Sequence, residues 1–325
     1  MNKPFAHAAA DQSGCIPKSS VMLDCVIALI PAVIASVILF GLKALLMILT
    51  CVFCSLISEL IFDLCIKKKS TLGDLSAVVT GLILALSLST QVELWQCAIG
   101  AVFATVVVKC LFGGLGKNIV NPAAAARVLM LLTFSSVLNG AAISPLFDLS
   151  FLGKALPELS ASASPLAYLA EGSGNAGAPD LLTLLLGTHA GAIGETCAIA
   201  LLIGFVYLVC RKAIKWYVPV AYVATVFVCC IISGGFDLEF ALRHVLSGGL
   251  LFGAIFMATD SVTTPRSPSG RVVFCIGAGL LTFALRKFGA YAEGVAIAIL
   301  TMNLLTPFIN DLTEKSSKGG KKQCT

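Results

Sequence analysis

Charge is what this chain most lacks. Asp, Glu, Lys and Arg make up 12% of its 325 residues, while 58% are hydrophobic; that charge share is about half the usual value for a soluble globular protein. A large core would go uncovered in water, which excludes a soluble domain and leaves lipid as the solvent. A secretory leader is lacking too. The first twenty residues, "MNKPFAHAAADQSGCIPKSS", hold no apolar stretch ahead of their small residues. Neither a cleavable signal peptide nor the lipoprotein box hinted at by Ser13-Gly14-Cys15 is expected. The 13 cysteines lack ligand spacing. Cys51 and Cys54 are one helical turn apart, but no second pair and no nearby histidine follow, and most of the others sit in apolar runs where a thiol acts as a small hydrophobe. No disulfide framework, metal or iron–sulfur ligation is expected within this chain. A dinucleotide fingerprint and a phosphate loop are also missing: the glycine-rich stretch 112–127 follows no strand and has the wrong spacing.

What is present is apolar sequence in runs of roughly the ~20 residues that a membrane crossing needs. They fall at 21–42, 44–65, 74–90, 94–112, 119–138, 192–210, 217–233, 242–259, 272–285 and 292–309. Some are short, which predicts tilted or discontinuous helices. Both termini then lie on one side. Most of the 22 basic residues fall on that side, among them Lys67, Lys68, Lys69, Lys109, Arg127, Arg211 and Arg271, while Lys43, Lys154, Arg243, Arg286 and Lys287 fall opposite. The imbalance places both termini in the cytoplasm. The expected fold is an all-α integral membrane protein of about ten transmembrane helices. The halves run in opposite directions, and 110–131 loosely echoes 284–304, the inverted-repeat arrangement of many transport proteins. The reading is thus a cytoplasmic segment 1–20, a five-helix repeat 21–138, an extracytoplasmic loop 139–191, a second five-helix repeat 192–311 and a basic cytoplasmic tail 312–325.

Four polar stretches interrupt the hydrocarbon. In "GDLSAVVTGLILAL", Asp74 opens the third run and Gly73, Ser76 and Thr80 share a helical face that Ser87 extends. Such a strip either packs helices closely or lines a cofactor or ion path. In "FGGLGKNIVNPAAAAR", Gly113, Gly114, Asn118 and Asn121 precede a helix start whose exposed amides suit an anionic or dipolar group. "LLLGTHAGAIGET" sets His189 and Glu195 at the outer mouth of the sixth run, either handling a proton or cation or capping a helix in solvent. "MATDSVTTPRSPSGR" offers Asp260, Thr263 and Thr264, whose oxygens suit a hard cation such as sodium, or which simply end a helix before a basic inner loop.

Taken together, "DLSAVVTGLILALSL", "LFGGLGKNIVNPAAAAR", "GTHAGAIGET" and "FMATDSVTTP" resemble, in order and spacing, the RnfD subunits of the Rnf complex, relatives of NqrB of the sodium-pumping NADH:quinone reductase. The resemblance runs over about residues 17–311. It implies a subunit, with no catalytic residue of its own, of an oxidoreductase that couples electron transfer between ferredoxin and NAD to sodium or proton movement. It also implies FMN esterified through its phosphate to a hydroxyl in an outer-loop Ser-Gly-Ala-Thr segment by a flavin transferase. Here the matching residues read Ala161-Ser162-Ala163-Ser164. Ser164 is the expected attachment site, with Ser162 and Ser160 as fallback acceptors. A second, non-covalent flavin such as riboflavin is expected near Asp74, Ser76, Thr80, Gly113, Gly114, Asn118 and Asn121. Asp74, His189, Glu195, Asp260 and Thr263 are the expected proton or cation contacts. Implied partners are the other Rnf subunits (membrane, flavin-bearing and iron–sulfur), the transferase and the lipid of the cytoplasmic (inner) membrane, with no nucleic acid. The alternatives are an NqrB-like subunit that delivers electrons to quinone, a flavin-free channel or transporter on the same scaffold, and a structural membrane anchor.

Overall fold

The computed structural model describes residues 19–67, 71–138, 166, 180–189, 191–289 and 293–320, except the side chains of residues 19, 136 and 314–320. Among them the chain is helical, with one isolated antiparallel bridge, Ser89 to Ala192. Helix α1 (Ser19–Cys65) consists of two helical arms meeting at Gly41, where φ is 69° and ψ −155°. That conformation is essentially open only to glycine, so the hinge is written into the sequence. Apolar side chains on this element, including Leu42, Leu49, Phe53 and Leu64, stand exposed. In a chain this hydrophobic, such a surface suits lipid contact.

The next elements are short. Helix α2 (Ser76–Leu86) follows a 3₁₀ turn at Leu72–Asp74, with Leu75 left-handed between them. Every residue of α2 except Val78 is buried. Helix α3 (Leu94–Val102) continues into a π-helical stretch, Phe103–Cys110. Helix α4 (Pro122–Thr133) is capped by Asn121, whose side-chain oxygen accepts from Ala123 and Ala124 N–H, with proline at the first helical position; both features favour a helix start. Helices α5 (Ser135–Leu138) and α6 (Leu181–Leu186) are brief. Then come α7 (Ala198–Cys210), α8 (Tyr217–Ser233) and α9 (Leu238–Leu246). Helix α10 (Leu250–Phe252) runs into a second π-helical stretch, Gly253–Met257. Helices α11 (Pro268–Phe288) and α12 (Val295–Gly320) complete the described residues.

By length and apolarity, Ser20–Cys65, Pro268–Phe288 and Val295–Thr313 are candidate membrane spans among the described residues, and α9 with Leu250–Met257, bent by 65°, forms either a broken span or a re-entrant loop. Several apolar runs are therefore not single helices. Helix α2, with 11 residues, reaches only about 16 Å, half the ~30 Å hydrocarbon core. Its apolar run goes on in non-helical turns. There Ile193 and Gly194 N–H donate to the Leu88 and Leu86 carbonyls at 3.0 and 2.8 Å. The segment after α2 and the segment before α7 thus satisfy each other's backbone groups, the condition for non-helical chain at membrane depth. A side chain at Gly194 would strike that of Leu86, so the close approach needs glycine. The same economy operates at the α9–α10 break. The buried Arg286 of α11 donates to the carbonyls of His244 (2.6 Å) and Ser247 (3.1 Å), closing orphan carbonyls at a helix C-terminus with a cation.

The core lies where α1 packs on α2, α3 and α7, and α11 packs on α8 and α12. Phe40, Met47, Leu84, Phe252, Phe274 and Tyr222 are fully enclosed. The Tyr222 hydroxyl meets Thr282 Oγ1 at 2.7 Å, so the aromatic ring is buried without stranding its polar tip.

Candidate functional site

Polar side chains gather at two cavities. The larger, about 850 Å³ with its open mouth, is lined by Ser76, Thr80, Lys109, Asn118, Asn121 and Asp260 between apolar walls that include Val79, Ile83 and Phe256. Its floor is an ion-pair network. Lys109 Nζ lies 2.7 Å from Glu59 Oε1, and both side chains are 1% exposed. Lys109 also donates to Ser76 Oγ, which in turn donates to Asp74. Thr71 Oγ1 contacts both Glu59 (2.6 Å) and the buried Asp63 (2.9 Å). Glu59 Oε2 has no partner.

The opposite wall is built from helix termini. Asn121, while capping α4, also donates through Nδ2 to the Met257 carbonyl at 3.3 Å. The Asn303 amide of α12 sits between Asn121 N–H (3.0 Å) and the Thr263 carbonyl (3.3 Å). Asp260 accepts from Val262 N–H at 3.0 Å and Thr263 Oγ1 at 3.3 Å, and Thr264 Oγ1 donates back to its carbonyl. Thr306 holds the Thr263 carbonyl at 3.0 Å. The buried Asn118 Oδ1 has no partner. Apolar walls, side-chain amides and an orphaned buried acceptor are the chemistry that meets a ring with polar edges.

The smaller cavity is lined by Ser87, Arg127, Glu195, Gly249, Phe252 and Glu293, among others. Arg127 Nη2 meets Glu293 Oε2 at 2.5 Å. Glu195 and Arg127 are buried. Nearby, Leu166 is buried, and its Cδ1 would lie 2.5 Å from any Cβ added at Gly248, with Arg286 Nη2 at 3.3 Å.

The structure brings together Ser76, Thr80, Asn118, Asn121 and Asp260, joins Asp74 to them through Ser76, and sets Thr263 behind Asp260. It corrects the sequence reading elsewhere. Ser87 does not extend the Ser76–Thr80 strip into the same site: it is the C-cap of α2, at the far end from Ser76, and lines the other cavity. Gly113 and Gly114 form a left-handed turn, at φ 110° and 92°, and are absent from the lining of the larger cavity. His189 and Glu195 are not a solvated mouth: they are 5% and 7% exposed, and only Glu195 lines a cavity. Burial pushes the His189 pKa down to about 4 against the hydrogen bond to the Thr183 carbonyl, which raises it, so the ring is neutral at pH 7. Lys109, Arg127, Arg243 and Arg286, counted among the charges that orient the chain, are buried. Ser164, Ser162 and Ser160 lie outside the described residues.

Sequence reasoning missed Glu59, Lys109, Arg127 and Glu293 as site residues. Their signal was available: each is an ionisable residue within or at the start of an apolar run, and such residues are rarely bystanders in lipid.

The family model described as NQR2, RnfD, RnfE family matches residues 3–319. Over 306 residues the chain is 37% identical to the D subunit of the Na(+)-translocating ferredoxin:NAD(+) oxidoreductase complex of Acetobacterium woodii, covering 94% of this chain and 92% of that one. It is 34% identical over 319 residues to the D subunit of the proton-translocating ferredoxin:NAD(+) oxidoreductase complex of Clostridium ljungdahlii, covering 97% and 95%. It is 31% identical over 336 residues to the D subunit of the ion-translocating oxidoreductase complex of Escherichia coli, covering 94% and 95%.

Proposed function

The chain belongs to the NQR2, RnfD, RnfE family, and on that premise we propose that it is the D subunit of a membrane-bound, ion-translocating ferredoxin:NAD oxidoreductase. In this reading it carries FMN on Ser164 and works only within the assembled complex, beside membrane, flavin-bearing and iron–sulfur subunits. The observation that carries the proposal is the end-to-end similarity to the D subunits of such complexes. The two relatives named for sodium and for protons stand at 37% and 34% identity, too close together for identity to choose the ion. The two inverted five-helix halves, the cytoplasmic termini, the inner-membrane location and the extracytoplasmic loop belong to the same proposal.

Bound flavin supplies the redox chemistry; the protein supplies position and polarity. Leu166, two residues beyond Ser164, lies against Gly248, near the Arg286 guanidinium. In the larger cavity, Asn118, Asn121 and Thr80 would hold the polar edge of a second flavin, with Ser76 and Lys109 at one end. Asp260, Thr263 and Asp74 are the residues proposed to meet the translocated ion on that side.

The test is purification of the assembled complex, flavin fluorescence of the denatured protein in a gel and peptide mapping, repeated with Ser164→Ala. Fluorescence confined to this chain and lost in the variant supports the proposal. Fluorescence that persists moves the attachment to Ser162 or Ser160. A non-fluorescent wild-type chain from a host with an active transferase favours a flavin-free transporter.

A further inference from the structure

The smaller cavity holds a feature that the redox reading does not require. Glu195, in the turn before α7, and Glu293, just ahead of α12, line this cavity together with Arg127, and their carboxyl groups stand within hydrogen-bonding reach of each other. Ionised carboxylates are acceptors only, so two of them meet at that distance when a proton lies between them. The surroundings say which one carries it. Arg127 of α4 is bonded to Glu293 Oε2 and holds that carboxylate ionised. Glu195 has no such partner. Its Oε2 is unbonded in the buried interior, and so is Nη1 of Arg127 beside the same cavity. Gly249 presses on Glu195 from the α9–α10 break: a Cβ there would come 2.5 Å from Oε1. The carboxyl therefore has little room to turn away from its partner.

We propose that Glu195 and Glu293 share one exchangeable proton in this cavity, carried by Glu195 and stabilised by the Glu293–Arg127 ion pair. The charged groups facing the pair are Arg127 from α4 and Arg286 from α11; Arg286 is also engaged with the His244 and Ser247 carbonyls. A sodium ion is a poor occupant. It would sit beside two guanidinium charges, where a hard cation wants several oxygen ligands. Ser87, the neutral hydroxyl at the wall, spends its proton on the Leu84 carbonyl at 2.7 Å. Glu293 is the partly exposed member, with 28% of its side chain accessible, and gives the proton its route in and out. With both carboxylates ionised, the two arginines and two glutamates sum to zero; with the proton bound, they carry one positive charge. Negative charge arriving nearby draws the proton in, and its departure lets the proton go. That last consequence rests on the redox reading above; the proton site itself does not.

The experiment is infrared difference spectroscopy of the purified complex across a pH titration, comparing wild type, Glu195→Gln and Glu293→Gln. Wild type is expected to show a protonated-carboxyl band at neutral pH that disappears in alkali. Glu195→Gln keeps a hydrogen-bond donor to Glu293 and the same shape, so it should fold, retain its melting temperature and lose the band. Glu293→Gln should lose it too, because Glu195 then ionises to partner Arg127. A band that survives Glu293→Gln means a carboxyl protonated on its own account, and overturns the sharing. A band that survives Glu195→Gln, or is absent from wild type, overturns the site. Should either variant fail to fold, wild type still decides: sodium chloride at constant pH must leave the band in place, and its displacement by sodium refutes a proton site. The Ser164→Ala chain should give the same band, so failure of the flavin reading is visible separately.

Discussion

Replacing Lys109 with Met tests the buried network beneath the larger cavity. The ammonium contacts Glu59 at 2.7 Å with both side chains 1% exposed, and its other bond is to Ser76. Without it, Glu59 keeps the Thr71 hydroxyl, and its Oε2 already lacks a partner. Removing one member of a buried ion pair costs about 3–5 kcal/mol, because the remaining charge is left uncompensated in a low-dielectric interior. Removing both, as in Lys109→Met with Glu59→Leu, eliminates the attraction and the desolvation penalty together, and should return stability to within about 2 kcal/mol of wild type. At roughly 2–4 °C per kcal/mol in chains of a few hundred residues, each single variant should melt on the order of 10 °C lower. The double variant should recover most of that. Thermal unfolding of the purified protein in detergent, run as a double-mutant cycle, reads the coupling directly. If the double variant loses as much as the two singles combined, the pair is not coupled and the network has been misread.

Asn121→Ala removes both the α4 cap and the bond to the Met257 carbonyl; a cap alone is worth about 0.5–2 kcal/mol. Asn121→Asp keeps the capping oxygen and should recover the larger part in the same melting assay. His189 gives a pH prediction. Its folded pKa of about 4 lies below the ordinary 6.5, so the unfolded chain binds the proton more readily between those values. Its contribution is fully present above about pH 6.5 and falls on acidification towards pH 4, by on the order of 3 kcal/mol. Melting curves from pH 7 to 4.5 should be flatter for His189→Asn than for wild type; parallel curves would contradict the burial argument.

Much of the architecture was legible because lipid imposes simple rules. Apolar runs marked the helices, and the shortness of some predicted breaks without locating them: 272–285, the shortest run, lies in the unbroken helix α11. The Asn121-Pro122 pair carried its own helix start. What the sequence withheld was contact across the chain. Lys109 reads as an end-of-run cation until Glu59, 50 residues earlier, is seen against it. Arg127 and Glu293 are separated by 166 residues, and nothing in "AEGV" distinguishes a buried ion-pair partner from a loop acid. The hydroxyl strip failed through length: Ser87, the helical C-cap of α2, lies about 16 Å along the axis from Ser76 at 1.5 Å per residue, far enough to reach the other cavity. The Glu195 motif was noticed, but its burial and its partner, Glu293, come from packing between segments distant in the chain.

The central claim, a redox protein whose hydroxyl tethers an electron carrier, is tested most directly by the intact mass of the chain released from the native complex. The account predicts a single species heavier than the 325-residue polypeptide by one FMN less the water lost in the ester, with the added mass on the peptide that contains Ser164. A chain at its unmodified mass, from cells in which a flavin transferase is demonstrably active, contradicts it.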